Sequence, residues 1–229
     1  MSNQTPYEGA LFGRLRAACI GDWEHYTGHD FVKGMADGSL PEASFRHYLA
    51  QDYLFLIHFA RAYALAIYKA DNLTDMRAAA DTVKALLDVE MNMHLDYCRG
   101  WGMSEADIVA EPEAMATMAY TRFVLERGMA GDILDLYVAL APCVIGYGEI
   151  GLALSADPAT LKDGNPYLAW IEMYAGEEYQ EVARAAAAQL DALADTRLTE
   201  RREGSLASTF AQATRLEAGF WDMGLKVLR

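Results

Sequence analysis

The run Leu140-Ala141-Pro142-Cys143-Val144-Ile145-Gly146-Tyr147-Gly148-Glu149 places a cysteine directly after a proline in an apolar stretch. A thiol is a strong nucleophile near neutral pH once a neighbour helps it to ionise. Proline inside a helix removes an amide donor and crowds the carbonyl four residues earlier, here Val138, at a cost of ~3 kcal/mol, so something in the fold must offset it. Tyr147 follows Cys143 by one turn, which puts phenol and thiol on one helix face. Taken alone, such a cysteine is more often a buried structural residue, because free cysteine is among the most buried residue types. Two carboxylates keep similar company. Asp52 lies in Gln51-Asp52-Tyr53-Leu54-Phe55-Leu56-Ile57-His58-Phe59-Ala60, and Glu217 in Arg215-Leu216-Glu217-Ala218-Gly219-Phe220-Trp221. An unpaired charge in such surroundings is prohibitively costly, so each must be paired or hydrogen-bonded. Structural roles are open to both: a cap or inter-helix tie for Asp52, a surface ion pair with Arg215 or Lys226 for Glu217.

Among 13 tyrosines, Tyr120, Tyr147 and Tyr174 stand near short polar groups and are candidates for a stacking or hydrogen-bonding pocket, although most tyrosines serve as amphipathic core. Glu90 and His94 share a helix face by spacing, as do His25 and His29. A di-iron bundle would need Glu-x-x-His motifs, and no Glu precedes a His by three residues, so a metal is disfavoured. A haem ligand from His25 or His29 is conceivable, with a core or surface histidine the commoner case.

These groups must be held by helices. Apolar residues recur at helical spacing almost throughout, and period-two alternation with hairpin turns is missing, which makes the chain all-α. Gly38-Ser39-Leu40-Pro41 opens a long helix to about residue 70 that carries Asp52, with the proline in the first turn. Thr74 opens another, ending near Gly100-Trp101-Gly102. Ser104-Glu105-Ala106-Asp107 has the form of a capping box. Glu111-Pro112 starts the next segment, which Gly128 closes. Gly131-Asp132 caps the helix with Cys143, Asn165-Pro166 starts one with Tyr174, and a last helix after about Thr199 carries Glu217. No Gly-x-Gly-x-x-Gly or phosphate-cradling loop is expected, and without strands no nucleophile elbow can form, so nucleotide chemistry is not signalled.

With 229 residues, 53% of them hydrophobic, the chain can bury a full core as one domain spanning 1–229. A formal net charge of −14 repels phosphate backbones and anionic lipid, which disfavours nucleic acid and membrane partners. Met1 to Pro6 lack the basic and apolar segments of a leader, and no run of about 18 uncharged apolar residues follows, so a cytoplasmic protein is expected. Cys19, Cys98 and Cys143 are an odd number without paired spacing, which predicts reduced thiols.

The order and spacing of Leu49-Ala50-Gln51-Asp52-Tyr53, Glu90-Met91-Asn92-Met93-His94, Leu140-Ala141-Pro142-Cys143 with Tyr147 and Glu149, Trp170-Ile171-Glu172-Met173-Tyr174, and Glu217 with Phe220-Trp221 resemble the TenA (thiaminase II) family, in its cysteine-containing branch. The resemblance covers nearly the whole chain. It implies a haem-oxygenase-like helical bundle, commonly a homotetramer, that acts in thiamin salvage without metal or organic cofactor. Its substrate would be an aminomethyl-pyrimidine or thiamin, and its product hydroxymethyl-pyrimidine. By the same resemblance Cys143 matches the nucleophile, Glu217 the proton donor and Asp52 the carboxylate that binds the pyrimidine amino group. Tyr120, Tyr147 and Tyr174 match pocket tyrosines. Phe55 departs from the pattern, which has tyrosine there to assist the thiol. The alternatives are a haem-binding or quinone-oxidase-like enzyme on the same fold, or a non-catalytic regulatory relative.

Overall fold

A computed structural model describes residue 7 and residues 9–226. The run Met1 to Pro6, on which the reading of a leader bore, lies outside the described residues. Among the described residues there are twelve α-helices and no strand: α1 (Ala10–Ala18), α2 (Ile20–Thr27), α3 (Asp30–Asp37), α4 (Glu42–Lys69), α5 (Leu73–Ala85), α6 (Met91–Gly100), α7 (Glu105–Val109), α8 (Met115–Ala130), α9 (Ile133–Ala156), α10 (Leu168–Ala175), α11 (Glu177–Arg197) and α12 (Glu200–Leu225). Between α5 and α6 the helix widens into a π segment, Leu86–Glu90.

α9 is the axis of the bundle, with α2, α4, α8, α10, α11 and α12 packed around it. That follows from its composition, since a helix apolar on all sides must be covered on all sides. Its 24 residues reach a mean hydropathy of 1.6 over their most apolar window, which by length and composition would cross a membrane. Asp135 and Glu149 lie within this helix, so no uncharged run of about 18 residues marks it in the sequence. In the fold, Leu134, Leu136, Val138, Ala139 and Ile145 of α9 are core. α4 is the second buried helix, with every residue from Tyr48 to Leu56 buried.

Caps account for the element boundaries, and several fall where the sequence places them. Ser104 and Asp107 form a reciprocal capping box on α7, and Asp132 and Asp135 form one on α9. The Arg202 guanidinium then bridges both aspartates of that box at 2.8 Å, which pins the start of α12 to the start of α9. The register between the helices that carry Cys143 and Glu217 is thereby set.

Other boundaries differ from expectation. Pro41 is the N-cap residue of α4 rather than part of its first turn, and Asn72, whose side chain accepts from the Asp75 amide, caps α5 ahead of Thr74. α8 begins after Ala114 and runs through Gly128 to Ala130. Gly128 is a packing site and not a stop: a Cβ there would meet Leu136 at 2.8 Å and Leu65 at 2.9 Å. The expectation of no Gly-x-Gly-x-x-Gly is corrected: Gly146-x-Gly148-x-x-Gly151 has that spacing, but it lies wholly inside α9 and not at a phosphate-binding turn. Gly151 lets α10 approach, since a Cβ there would stand 2.5 Å from the Tyr174 backbone.

Candidate active site

Cys143 is carried by the middle of α9, which continues unbroken past Pro142. The Tyr26 hydroxyl donates to the Pro142 carbonyl at 3.3 Å, tying α2 to this turn. Of the three free cysteines, Cys19 and Cys98 are buried, whereas Cys143 keeps partial solvent contact. Its surroundings are nevertheless deep protein, as are those of the half-exposed Glu90 and Tyr179. Side chains enclosed on every side yet touched by solvent face an internal space.

Glu217 reaches this space from α12. It is 2% exposed, accepts the Tyr120 hydroxyl at 2.8 Å and lies against the Cys143 thiol, each acting on the other's titration. The surface ion pair considered for it does not exist: Arg215 bonds Asp22 at 2.7 Å and Lys226 bonds Asp222 at 3.1 Å. Burial, reinforced by the charge of Asp52, pushes the Glu217 carboxyl up to about 8, with the Tyr120 and Cys143 hydrogen bonds pulling the other way. At neutral pH Glu217 therefore holds a proton. The thiol is raised well above its ordinary value by burial and by the carboxylates of Glu217, Glu90 and Asp52. A thiol ionises near neutrality only with a neighbour's help, and here burial and the neighbouring carboxyl groups act the other way, so Cys143 rests as the thiol.

Asp52 is 4% exposed and accepts from the Tyr48 hydroxyl at 3.0 Å and from His94 Nε2 at 2.8 Å. His94 is fully buried, with Nδ1 2.8 Å from the Glu90 carbonyl oxygen. A carbonyl only accepts, so Nδ1 carries a hydrogen, and a second proton lies between Nε2 and the carboxylate. Burial alone would lower the His94 pKa, but the hydrogen bond and charge of Asp52 outweigh it and the net direction is up. Asp52 and His94 thus form a buried carboxylate–imidazolium pair.

Aromatic rings wall the space. Phe55 packs on Tyr120 at 4.9 Å and on Phe220 at 5.8 Å between ring centroids, and Tyr147 packs on Tyr174 at 5.0 Å and on Trp221 at 5.4 Å. The Tyr147 hydroxyl lies 3.3 Å from that of Tyr48, which links this second wall to Asp52. All seven residues singled out in the sequence, Asp52, Phe55, Tyr120, Cys143, Tyr147, Tyr174 and Glu217, come together around one interior site. Sequence reasoning missed Tyr48 and the role of His94. Tyr48 stands four residues before Asp52 in a helix, so its reach was available from the spacing. His25 and His29 do not share a helix: His25 is exposed on α2, and His29 caps α3 through Nδ1 while its Nε2 lies 3.5 Å from Asp222.

Phe55→Tyr tests the departure at that position. Turnover and the alkylation rate of Cys143 are expected to rise together by up to about tenfold, or ~1.4 kcal/mol of barrier. The packed ring set makes a stability loss of about 1–3 kcal/mol the accompanying cost, read from the melting temperature. Unchanged rates in a stable variant would show that Tyr120, already bonded to Glu217, supplies the hydroxyl.

The fold and its interior site define a class, the helical bundle of haem-oxygenase-like fold with buried carboxylates around a cysteine. A Shewanella denitrificans domain of unknown function, described as having a heme oxygenase-like fold, matches with a TM-score of 0.72 over 94% of this chain and 92% of its own, at 17% identity, a likeness of fold alone. The model of the TENA/THI-4/PQQC family matches residues 18–227, and the chain belongs to that family. A crystal structure described as a TenA family transcription regulator, from a Silicibacter species, is 45% identical with a TM-score of 0.88, covering 96% of this chain and 98% of that one. A protein of Halalkalibacterium halodurans named aminopyrimidine aminohydrolase is 37% identical over 201 residues, 88% of this chain and 89% of its own.

Proposed function

We propose that the protein hydrolyses the exocyclic C–N bond of 4-amino-5-aminomethyl-2-methylpyrimidine, and of thiamin, to give 4-amino-5-hydroxymethyl-2-methylpyrimidine. The observation that carries this is the thiol and the protonated Glu217 carboxyl side by side in a space walled by aromatic rings. Support from likeness comes from relatives named aminopyrimidine aminohydrolase, one at 37% and another at 31% identity.

In this reading the flat pyrimidine stacks between the ring walls, with its amino group on Asp52. Glu217 gives its proton to a ring nitrogen and receives the proton of the Cys143 thiol, so the site's net charge is unchanged while the sulfur becomes nucleophilic. Sulfur bonds to a ring carbon, and the electron pair returned through the ring expels the amine, or the thiazole, from the methylene. Water adds to that methylene and gives up one proton. The carbon–sulfur bond then breaks, and thiol and carboxyl recover their protons from Glu217 and the ring nitrogen. Tyr120, bonded to Glu217, keeps the carboxyl aimed between sulfur and ring. The same reading takes the protein as a cytoplasmic homotetramer, on the ground of the family resemblance.

Cys143→Ser is expected to abolish turnover while pyrimidine binding and melting temperature stay near wild type, because oxygen for sulfur changes nucleophilicity far more than volume. Cys19→Ser and Cys98→Ser should retain activity, since both thiols are buried elsewhere. The measurement is chromatography of the hydroxymethyl product from both substrates. Substantial turnover by Cys143→Ser would remove the nucleophile from this reading.

A further inference from the structure

We propose that Glu90 seats the positive charge on the substrate's leaving nitrogen and makes the site selective for cationic over neutral leaving groups. The proposal deepens the functional reading above and rests on it.

Glu90 ends the π segment and turns inward, while its neighbours Leu87 and Val89 are exposed. Its Oε1 accepts the Tyr174 hydroxyl at 2.9 Å. Among the described residues no donor reaches Oε2, and the side chain is half-exposed although enclosed by deep protein. Tyr174, which holds Oε1, packs on Tyr147, one turn from Cys143 on α9, so the carboxylate stands at the wall of the site. The charge of Glu90, like that of Asp52, raises the Cys143 thiol, and both Glu90 and Cys143 act on Tyr63 and Tyr179. Among the described contacts, the cation brought to these carboxylates is His94, and it is spent on Asp52. Burial pushes the Glu90 carboxyl up, and the charge of His94, which Asp52 also holds, offsets this only in part, so a cation seated against Glu90 would complete its compensation.

Both substrate types place positive charge where such a group would meet it. An aminomethyl group is an ammonium at neutral pH, and the thiazole of thiamin is a thiazolium. When the C–N bond breaks, its electron pair leaves with the nitrogen, which becomes neutral. A carboxylate beside that nitrogen is therefore worth more to the bound substrate than to the transition state, and Glu90 acts on affinity more than on the chemical step.

The test uses the full chain with Glu90→Gln, an amide that can still accept from Tyr174. Calorimetry in a Cys143→Ser background compares binding of the 5-aminomethyl pyrimidine with its neutral 5-hydroxymethyl counterpart, and steady-state kinetics follow Glu90→Gln alone. Glu90→Gln is expected to weaken amine binding about tenfold or more, equal to ~1.4 kcal/mol. Binding of the alcohol should be unchanged, and KM should rise with far less change in kcat. Equal loss for both ligands would make Glu90 a support for Tyr174 only, and undiminished amine binding would remove it from recognition; either result overturns the proposal. A background that binds neither pyrimidine would overturn the functional reading itself, and this proposal with it.

Discussion

Glu217→Gln is expected to cost about a hundred- to ten-thousand-fold in turnover while making the folded protein more stable. The wild-type carboxyl is buried and pushed up to about 8, whereas an unfolded glutamate titrates near 4.3. Between those values the folded state keeps a proton that the unfolded state has lost. Wild-type stability from this group is thus fully present below about pH 4.3 and is lost as pH rises through about 8. The amide never ionises, so Glu217→Gln escapes that loss. Its stability, read from the melting temperature, should match wild type near pH 4.5 and pull ahead toward pH 8, by an amount on the order of 4 kcal/mol. In parallel, wild-type kcat/KM should fall as pH rises through about 8, when the proton donor is lost. Thermal melts across pH 4.5–9 check the first claim, and a gap that does not widen with pH would sink the placement of a neutral carboxyl at this position.

His94→Ala carries the largest expected loss of stability. Removing one member of a buried ion pair leaves the other charge uncompensated, which costs about 3–5 kcal/mol, and Asp52 has only the Tyr48 hydroxyl left to it. The His94 pKa is raised in the fold, so the pair's contribution is fully present below the unfolded value of about 6.5 and is lost as pH rises through the folded value. The deficit of His94→Ala should accordingly be greatest in acid to neutral solution and shrink in alkali. Pyrimidine affinity should fall with it, because the carboxylate assigned to the amino group loses its orientation. A His94→Ala protein that melts like wild type at pH 6 would show that the pair contributes nothing.

The fold class and most helix boundaries were legible because local chemistry sets them: Ser104, Asp132 and Thr199 sit at N-caps where their positions predicted. Gly128 and Pro41 misled because a small residue serves packing as readily as termination, and only the neighbouring helix decides. Within the site, Asp52 and Glu217 are 165 positions apart in the chain, and no periodicity links them. Their assignment came from the resemblance, while the bare sequence favoured a surface pair for Glu217. The protonated state of the thiol was illegible, since it depends on three carboxylates brought in by separate helices. The π segment left no signature either, because one extra residue in a helix disturbs a hydrophobic stripe no more than ordinary scatter does.

That extra residue fixes the phase between α5 and α6. A regular α-helix advances about 100° per residue, and a π segment absorbs one residue more than the α path it replaces. The same residues wound as plain α-helix through Leu86–Glu90 would carry everything after them about 100° further round against α5. Glu90 and His94 would leave the interior together, and with them both the free carboxylate beside Cys143 and the counter-charge of Asp52. The electrostatics of the site are in this sense a matter of how one turn is wound: the extra residue it takes up decides which charges point inward.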